Sequence, residues 1–115
     1  MYEYRAIVTS MYDADTMRCD IDLGFGVWLK NQVVRWFKID AWEVRGEERE
    51  KGILARDRGH ELVLNKEVIL KTYKDEKGKY GRWLAEVYLP GVPLEWDHSI
   101  NQQLINEGHA KPYLG

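Results

Sequence analysis

Met17-Arg18-Cys19-Asp20-Ile21-Asp22-Leu23 alternates apolar and polar residues without a break. An extended chain turns Met17, Cys19, Ile21 and Leu23 to one side and Arg18, Asp20 and Asp22 to the other, the period of a half-buried strand. Gly24-Phe25-Gly26 then supplies a turn, and Val27 to Ile39 reads as a long third strand. Upstream, Tyr4 to Met11 reads as a strand that ends at the turn-forming Asp13-Ala14-Asp15. Three strands joined by short turns predict an antiparallel meander, so the chain starts as a β protein.

The remainder adds helices. Residues 45–62 are polar with a modest apolar stripe at Ile53, Leu54 and Leu62, which predicts a helix despite Gly52 and Gly59, both poor helix formers. Val68 to Tyr73 and Trp83 to Leu89 are two further strands on either side of a charged loop, residues 74–82, and Pro90-Gly91 is a turn. Ser99-Ile100-Asn101-Gln102 fits a capping box with Gln102 reaching back to Ser99. Ile100, Leu104 and Ile105 form the stripe of that last helix, and Gly108 is placed to end it. The order is three strands, a helix, two strands and a helix. It predicts an α+β, mainly β chain: a five-stranded OB-fold Greek-key barrel with an inserted helix and a C-terminal helix, forming one domain over residues 1–115.

Composition agrees with a folded core. Of 115 residues, 44% are hydrophobic and 31% charged, which suits a globular chain that needs neither disulfides nor a structural metal. Five Trp and seven Tyr are many for this length and either fill a small barrel or line a binding surface. The single Cys19 rules out an intramolecular disulfide. No signal-peptide pattern opens this chain and no apolar run approaches the roughly 20 residues that span a bilayer. The expectation is a cytoplasmic, monomeric protein away from membranes, with a mature secreted form left open. A net charge of −2 argues against nucleic acid as a partner, but residues 66–82 hold six cations against three anions.

Several polar residues stand out. Arg35 lies inside the apolar Val33-Val34-Arg35-Trp36-Phe37, where a cation requires a partner or a cleft, and Asp40 is the nearest candidate partner. Asp13, Asp15, Asp40 and Glu43 are hard oxygen donors suited to Ca²⁺ or Mg²⁺. Each also has a structural account: an Asx turn for Asp13-Ala14-Asp15-Thr16, and a helix-start acid for Glu43. Tyr80-Gly81-Arg82 leads into a strand, either as an ordinary hairpin or as a ring and a guanidinium facing a nucleotide.

In order and spacing these pieces resemble the staphylococcal nuclease (thermonuclease) family. The likeness rests on Asp13-Ala14-Asp15-Thr16, on Arg35 followed by Asp40-Ala41-Trp42-Glu43, on Lys79-Tyr80-Gly81-Arg82-Trp83-Leu84-Ala85, and on Leu104-Ile105-Asn106-Glu107-Gly108-His109-Ala110-Lys111. It runs from about Tyr4 to Tyr113. Family members usually carry Asp-Gly-Asp-Thr in the first motif and Asp-Thr-Pro-Glu in the second, so Ala41 and Trp42 are departures, as is the acidic net charge.

The resemblance implies a calcium-dependent nuclease, an endonuclease-type hydrolase of DNA or RNA phosphodiester bonds, with Ca²⁺ preferred to Mg²⁺. Asp15, Asp40 and the backbone carbonyl of Ala41 would bind the metal, with Asp13 behind them. Glu43 would serve as general base or orient the attacking water, and Arg35 and Arg82 would clamp the scissile phosphate. Lys79, Tyr80 and Tyr113 would bind substrate. The alternative is a nucleic-acid or protein-binding module on the same barrel, without catalysis.

Overall fold

The computed structural model describes residues 2–74 and 82–113, Lys74 by its backbone alone. Three strands open the chain, β1 (Tyr2–Asp13), β2 (Thr16–Asp22) and β3 (Trp28–Trp36). They are the expected meander: β1 pairs antiparallel with β2, and β2 with β3. The alternation holds where it is clearest, since Met17, Cys19 and Ile21 are buried. Leu23 lies past the end of β2 and is exposed, because the chain has already entered the turn closed by Leu23 N–H to the Val27 carbonyl.

The long third strand divides in two. Lys38 adopts φ +60°, outside the extended range, and the strand is interrupted there. Beyond the interruption runs a separate short strand, β4 (Ile39–Ala41). Helix α1 (Arg49–Val63) comes after a single 3₁₀ turn at Gly46–Glu48. Then come β5 (Glu67–Lys74), β6 (Trp83–Tyr88), helix α2 (Ile100–Asn106) and β7 (Ala110–Pro112).

The barrel closes in the order β1-β2-β3-β6-β5, with β5 returning to β1. All pairings in it are antiparallel except β3 with β6, which run parallel because α1 and β5 intervene. The fold is the expected five-stranded OB-like barrel with an inserted and a C-terminal helix. Sequence reading did not foresee β4 and β7, which form a separate two-stranded ribbon. At three residues each, neither shows an alternation long enough to detect. Val8, Val34, Trp36, Val68, Leu70, Ala85 and Val87 fill the barrel interior, each nearly inaccessible to solvent.

Helix α1 packs differently from its predicted stripe. Leu54 is exposed, whereas Gly52, Ala55, Gly59 and Val63 are the buried positions. Small residues face inward because the helix lies against backbone. A Cβ on Gly52 would stand 1.9 Å from the Glu43 carbonyl oxygen, and one on Gly59 would meet the Met11 side chain. The two glycines that weaken the helix prediction are what allow its close docking.

Helix α2 is capped as expected at its start, where Ser99 Oγ accepts the Gln102 N–H at 3.1 Å. The reciprocal half of the capping box is not made. Gln102 instead accepts from the Trp96 indole at 2.7 Å and donates to Asn106 at 2.8 Å. At the other end, Gly108 with φ +81° terminates the helix, its N–H reaching the Ile105 carbonyl while His109 N–H reaches that of Leu104. Among the described residues, no helix is long and apolar enough to cross a membrane.

Candidate functional site

The turn between β1 and β2, the end of β3 and the whole of β4 meet at Asp15. Its carboxylate is nearly inaccessible, and its partners come from three segments. Arg35 Nη1 lies 2.9 Å from Oδ2, the Ala41 backbone N–H donates to the same oxygen at 2.8 Å, and the Thr16 hydroxyl donates to Oδ1 at 3.1 Å. The Asp15 backbone takes part too, since its carbonyl accepts from Trp36 N–H at 2.8 Å. Arg35 therefore has the anionic partner that its apolar setting demands, but the partner is Asp15, not Asp40. Asp15 crosses to it from the β2 side because Thr16 is the register partner of Arg35. A second Arg35 nitrogen, Nη2, donates to the Ile39 carbonyl at 3.1 Å, and the guanidinium carbon lies 5.7 Å from the centre of the Tyr113 ring.

Asp40 and Ala41 lie next along the chain on β4, so the Asp40–Ala41 peptide abuts the Asp15 carboxylate. Asp40 is half-buried and pairs with Lys111 across the ribbon. Tyr113 continues beyond β7, with its N–H bonded to the Lys38 carbonyl at 2.9 Å.

Asp13 and Glu43 form a second group. With Tyr12, Val44 and Arg45 they line a cavity of about 280 Å³. Glu43 is exposed and lies ahead of the 3₁₀ turn, so it is not a first-turn helix acid; its N–H donates to Glu48 at 3.0 Å. Asp13 accepts the Val44 N–H at 3.4 Å. Its carboxyl is held above the usual carboxylate range, first by burial and next by the negative charge of Asp15, with Glu43 adding to it. Three carboxylates thus repel one another along this edge.

Arg82 is half-exposed and leads into β6 two residues ahead of Leu84, the register partner of Arg35. Lys79 and Tyr80 lie outside the described residues. The structure therefore brings Asp15, Arg35, Asp40, Ala41 and Tyr113 to one place, and sets Asp13 and Glu43 beside it. Thr16, the donor to Asp15, belongs to the first motif but has no part assigned from sequence. The Ile39 carbonyl has no sequence signal at all, because any residue supplies one.

The donor set fits a hard divalent cation in chemistry. Carboxylate oxygens of Asp15 and Asp40 are of the right kind, and the repulsion felt by Asp13 is what a cation relieves. Among the described residues no three His, Cys, Asp or Glu side chains converge on one point, so protein would supply only two carboxylates. Arg35 already neutralises one of them.

The fold is a small closed OB-like barrel with a carboxylate–guanidinium junction where β2, β3 and β4 meet. The chain belongs to the staphylococcal nuclease homologue family, whose family model matches residues 33–114. That segment contains Arg35, Asp40, Ala41, Glu43, Arg82 and Tyr113 and begins after the Asp13–Thr16 turn. Two bonds to the Asp15 carboxylate, from Arg35 and from the Ala41 amide, join that turn to the matched part. No individual curated protein matches the chain.

Proposed function

We propose that the protein is a metal-dependent nuclease acting on DNA or RNA, with its chemistry at the Asp15–Arg35–Asp40 junction. The observation that carries this reading is the Arg35–Asp15 contact of 2.9 Å on the Ala41 amide. It sets a guanidinium, a buried carboxylate and the Asp40 strand within one bond of each other.

A phosphodiester anion repels a nucleophile, so positive groups must offset its charge as it rises in the transition state. Arg35 and Arg82 would supply two guanidiniums that stay protonated and present bidentate forks. Asp15 and Asp40, with the Ala41 carbonyl, would hold Ca²⁺, which when bound lowers the pKa of water and offsets phosphate charge. Glu43 is exposed beside the junction and would take the proton from, or orient, the attacking water. Asp13 would hold the Glu43 segment in place through its bond to the Val44 amide. Tyr113, with Lys79 and Tyr80 from the charged loop, would contact the nucleotide.

One observation favours the second reading, a binding module without catalysis. Both Asp15 oxygens already have donors, and Arg35 serves as an internal counterion. A cation must therefore compete with Arg35 for Asp15. Release of Arg35 to substrate on metal binding makes the two demands compatible. Incubation with denatured DNA and with RNA, in Ca²⁺ and in chelator, separates the readings. Calcium-dependent cleavage that falls by orders of magnitude in Arg82→Ala supports the nuclease. Tight binding with no cleavage under any metal condition establishes the module instead.

A further inference from the structure

The β4–β7 ribbon carries a feature that the proposed chemistry does not use. Ile39 and Ala41 are buried, so strand alternation places Asp40 and Trp42 together on the other, partly exposed face. Lys111 is the cross-strand partner of Asp40, and Tyr113 lies two residues further on. One face of the ribbon thus presents, in order, Tyr113, then Asp40 with Lys111, then Trp42. Arg35 attends the first ring at 5.7 Å. Two ammoniums attend the last: Lys51 of α1 at 4.6 Å from the Trp42 ring centre and Lys111 at 5.1 Å.

The indole is also fixed. Its N–H donates to the Gly108 carbonyl at 2.9 Å, and the Trp42 backbone N–H to that of His109 at 3.4 Å. Beside it Trp42, Lys51, Leu54, Glu107, Gly108 and His109 line a cavity of about 220 Å³. Residues two apart on a strand are roughly 7 Å apart, on the scale of one nucleotide of an extended single strand. The chain carries a net charge of −2, yet the cations on this face are concentrated beside its two rings.

We propose that Trp42, Lys51 and Lys111 form a second subsite for single-stranded nucleic acid, one nucleotide along from the phosphate that Arg35 and Arg82 would clamp. The indole stacks on a base and the two ammoniums take an adjoining phosphate. Stacking on a fixed ring is sequence-tolerant, because every base offers a π-face. The subsite rests on the nucleic-acid reading of the junction and extends it: Trp42 grips a strand that Tyr113 grips on the other side of Asp40.

The test is the fluorescence anisotropy of a labelled single-stranded DNA ten-mer, titrated with protein in chelator so that no cleavage occurs. Trp42→Ala should raise Kd about tenfold, while Trp42→Phe, which keeps a ring, should change it less than about threefold. The Lys51→Gln, Lys111→Gln double variant should flatten the slope of log Kd against log salt by about 0.7, for one phosphate no longer neutralised. If Trp42→Ala is not folded by circular dichroism, the double variant decides, since both lysines are at the surface. Wild-type binding with an unchanged Kd in Trp42→Ala, or an unchanged slope in the double variant, overturns the subsite and leaves the nuclease reading standing. Wild-type protein that neither binds the ten-mer nor cleaves DNA or RNA with Ca²⁺ overturns both.

Discussion

Arg35 and Asp15 form an ion pair of 2.9 Å at the point where β2, β3 and β4 meet, and both side chains are largely hidden from water, 16% and 8% exposed. The pair holds the fold together as well as furnishing the proposed site. The Asp15 carboxylate ties the β1–β2 turn to the Ala41 amide, and Arg35 ties β3 to the Ile39 carbonyl.

Arg35→Ala should therefore cost stability as well as activity. It strands a buried carboxylate, a change that typically costs about 3 kcal/mol or more. Arg35→Lys keeps the charge but loses the fork that reaches Ile39, and should cost about 1 kcal/mol. Urea denaturation measures both. An Arg35→Ala variant as stable as wild type would show that the pair does not brace the junction.

Gly52→Ala reverses the ordinary expectation for a helix interior, where alanine is favoured over glycine by about 1 kcal/mol. Here the new methyl would stand 1.9 Å from the Glu43 carbonyl oxygen, so α1 or the Glu43 segment must move. A loss of about 2 kcal/mol is expected. A gain in melting temperature would contradict the docking of α1 on that carbonyl.

Asn101 is wholly buried and makes three bonds, accepting from Val87 N–H at 2.8 Å and donating to the Phe37 and Ala85 carbonyls at 3.0 and 3.1 Å. It fastens α2 to β6 and to the corner after β3. Asn101→Ala should lose about 3 kcal/mol, roughly one per bond. Asn101→Asp should lose more, because a carboxylate would face two carbonyls. Thermal melts of the pair of variants give the order.

Asp13 supplies a pH dependence with a defined sign. Its carboxyl binds a proton more tightly in the folded state than the ordinary value of 3.8 implies, from burial and from Asp15. The protonated form favours folding. That contribution is complete below the unfolded value and is lost as pH rises through the folded one. Asp13→Asn keeps an acceptor for Val44 and removes the repulsion. It should stabilise the protein at pH 7, with the advantage shrinking as pH falls through the folded value and levelling off below the unfolded one. An advantage that grew on acidification would show that the sign is wrong.

Much of this is legible in the sequence, and the gaps have physical causes. Strong alternation at Met17–Ile21 and the Ser99 and Gly108 signals locate β2 and α2, because local chemistry decides them. Arg35 in an apolar run announces a buried ion pair, but its partner Asp15 is close only through the pairing of β2 with β3. Helix α1 misleads in its stripe, because three of its four buried positions are glycine or alanine, which carry little hydrophobic signal. Trp42 stands out in the sequence only as a departure from the family. Its setting depends on Lys111 and on the indole bond to Gly108, both more than sixty residues along the chain, as well as on Lys51 of α1.

The central claim is that a Ca²⁺-assisted phosphodiester hydrolysis occurs beside Asp15, Asp40 and Glu43. The direct measurement is the single-turnover rate of cleavage of denatured DNA with Ca²⁺, for wild type and for Glu43→Gln, an exposed substitution that spares the core. Cleavage should stop in chelator and fall by about 10²–10⁴-fold in Glu43→Gln, the usual reach of a general base. A Glu43→Gln rate equal to that of wild type, or wild-type cleavage undiminished in chelator, would contradict the claim.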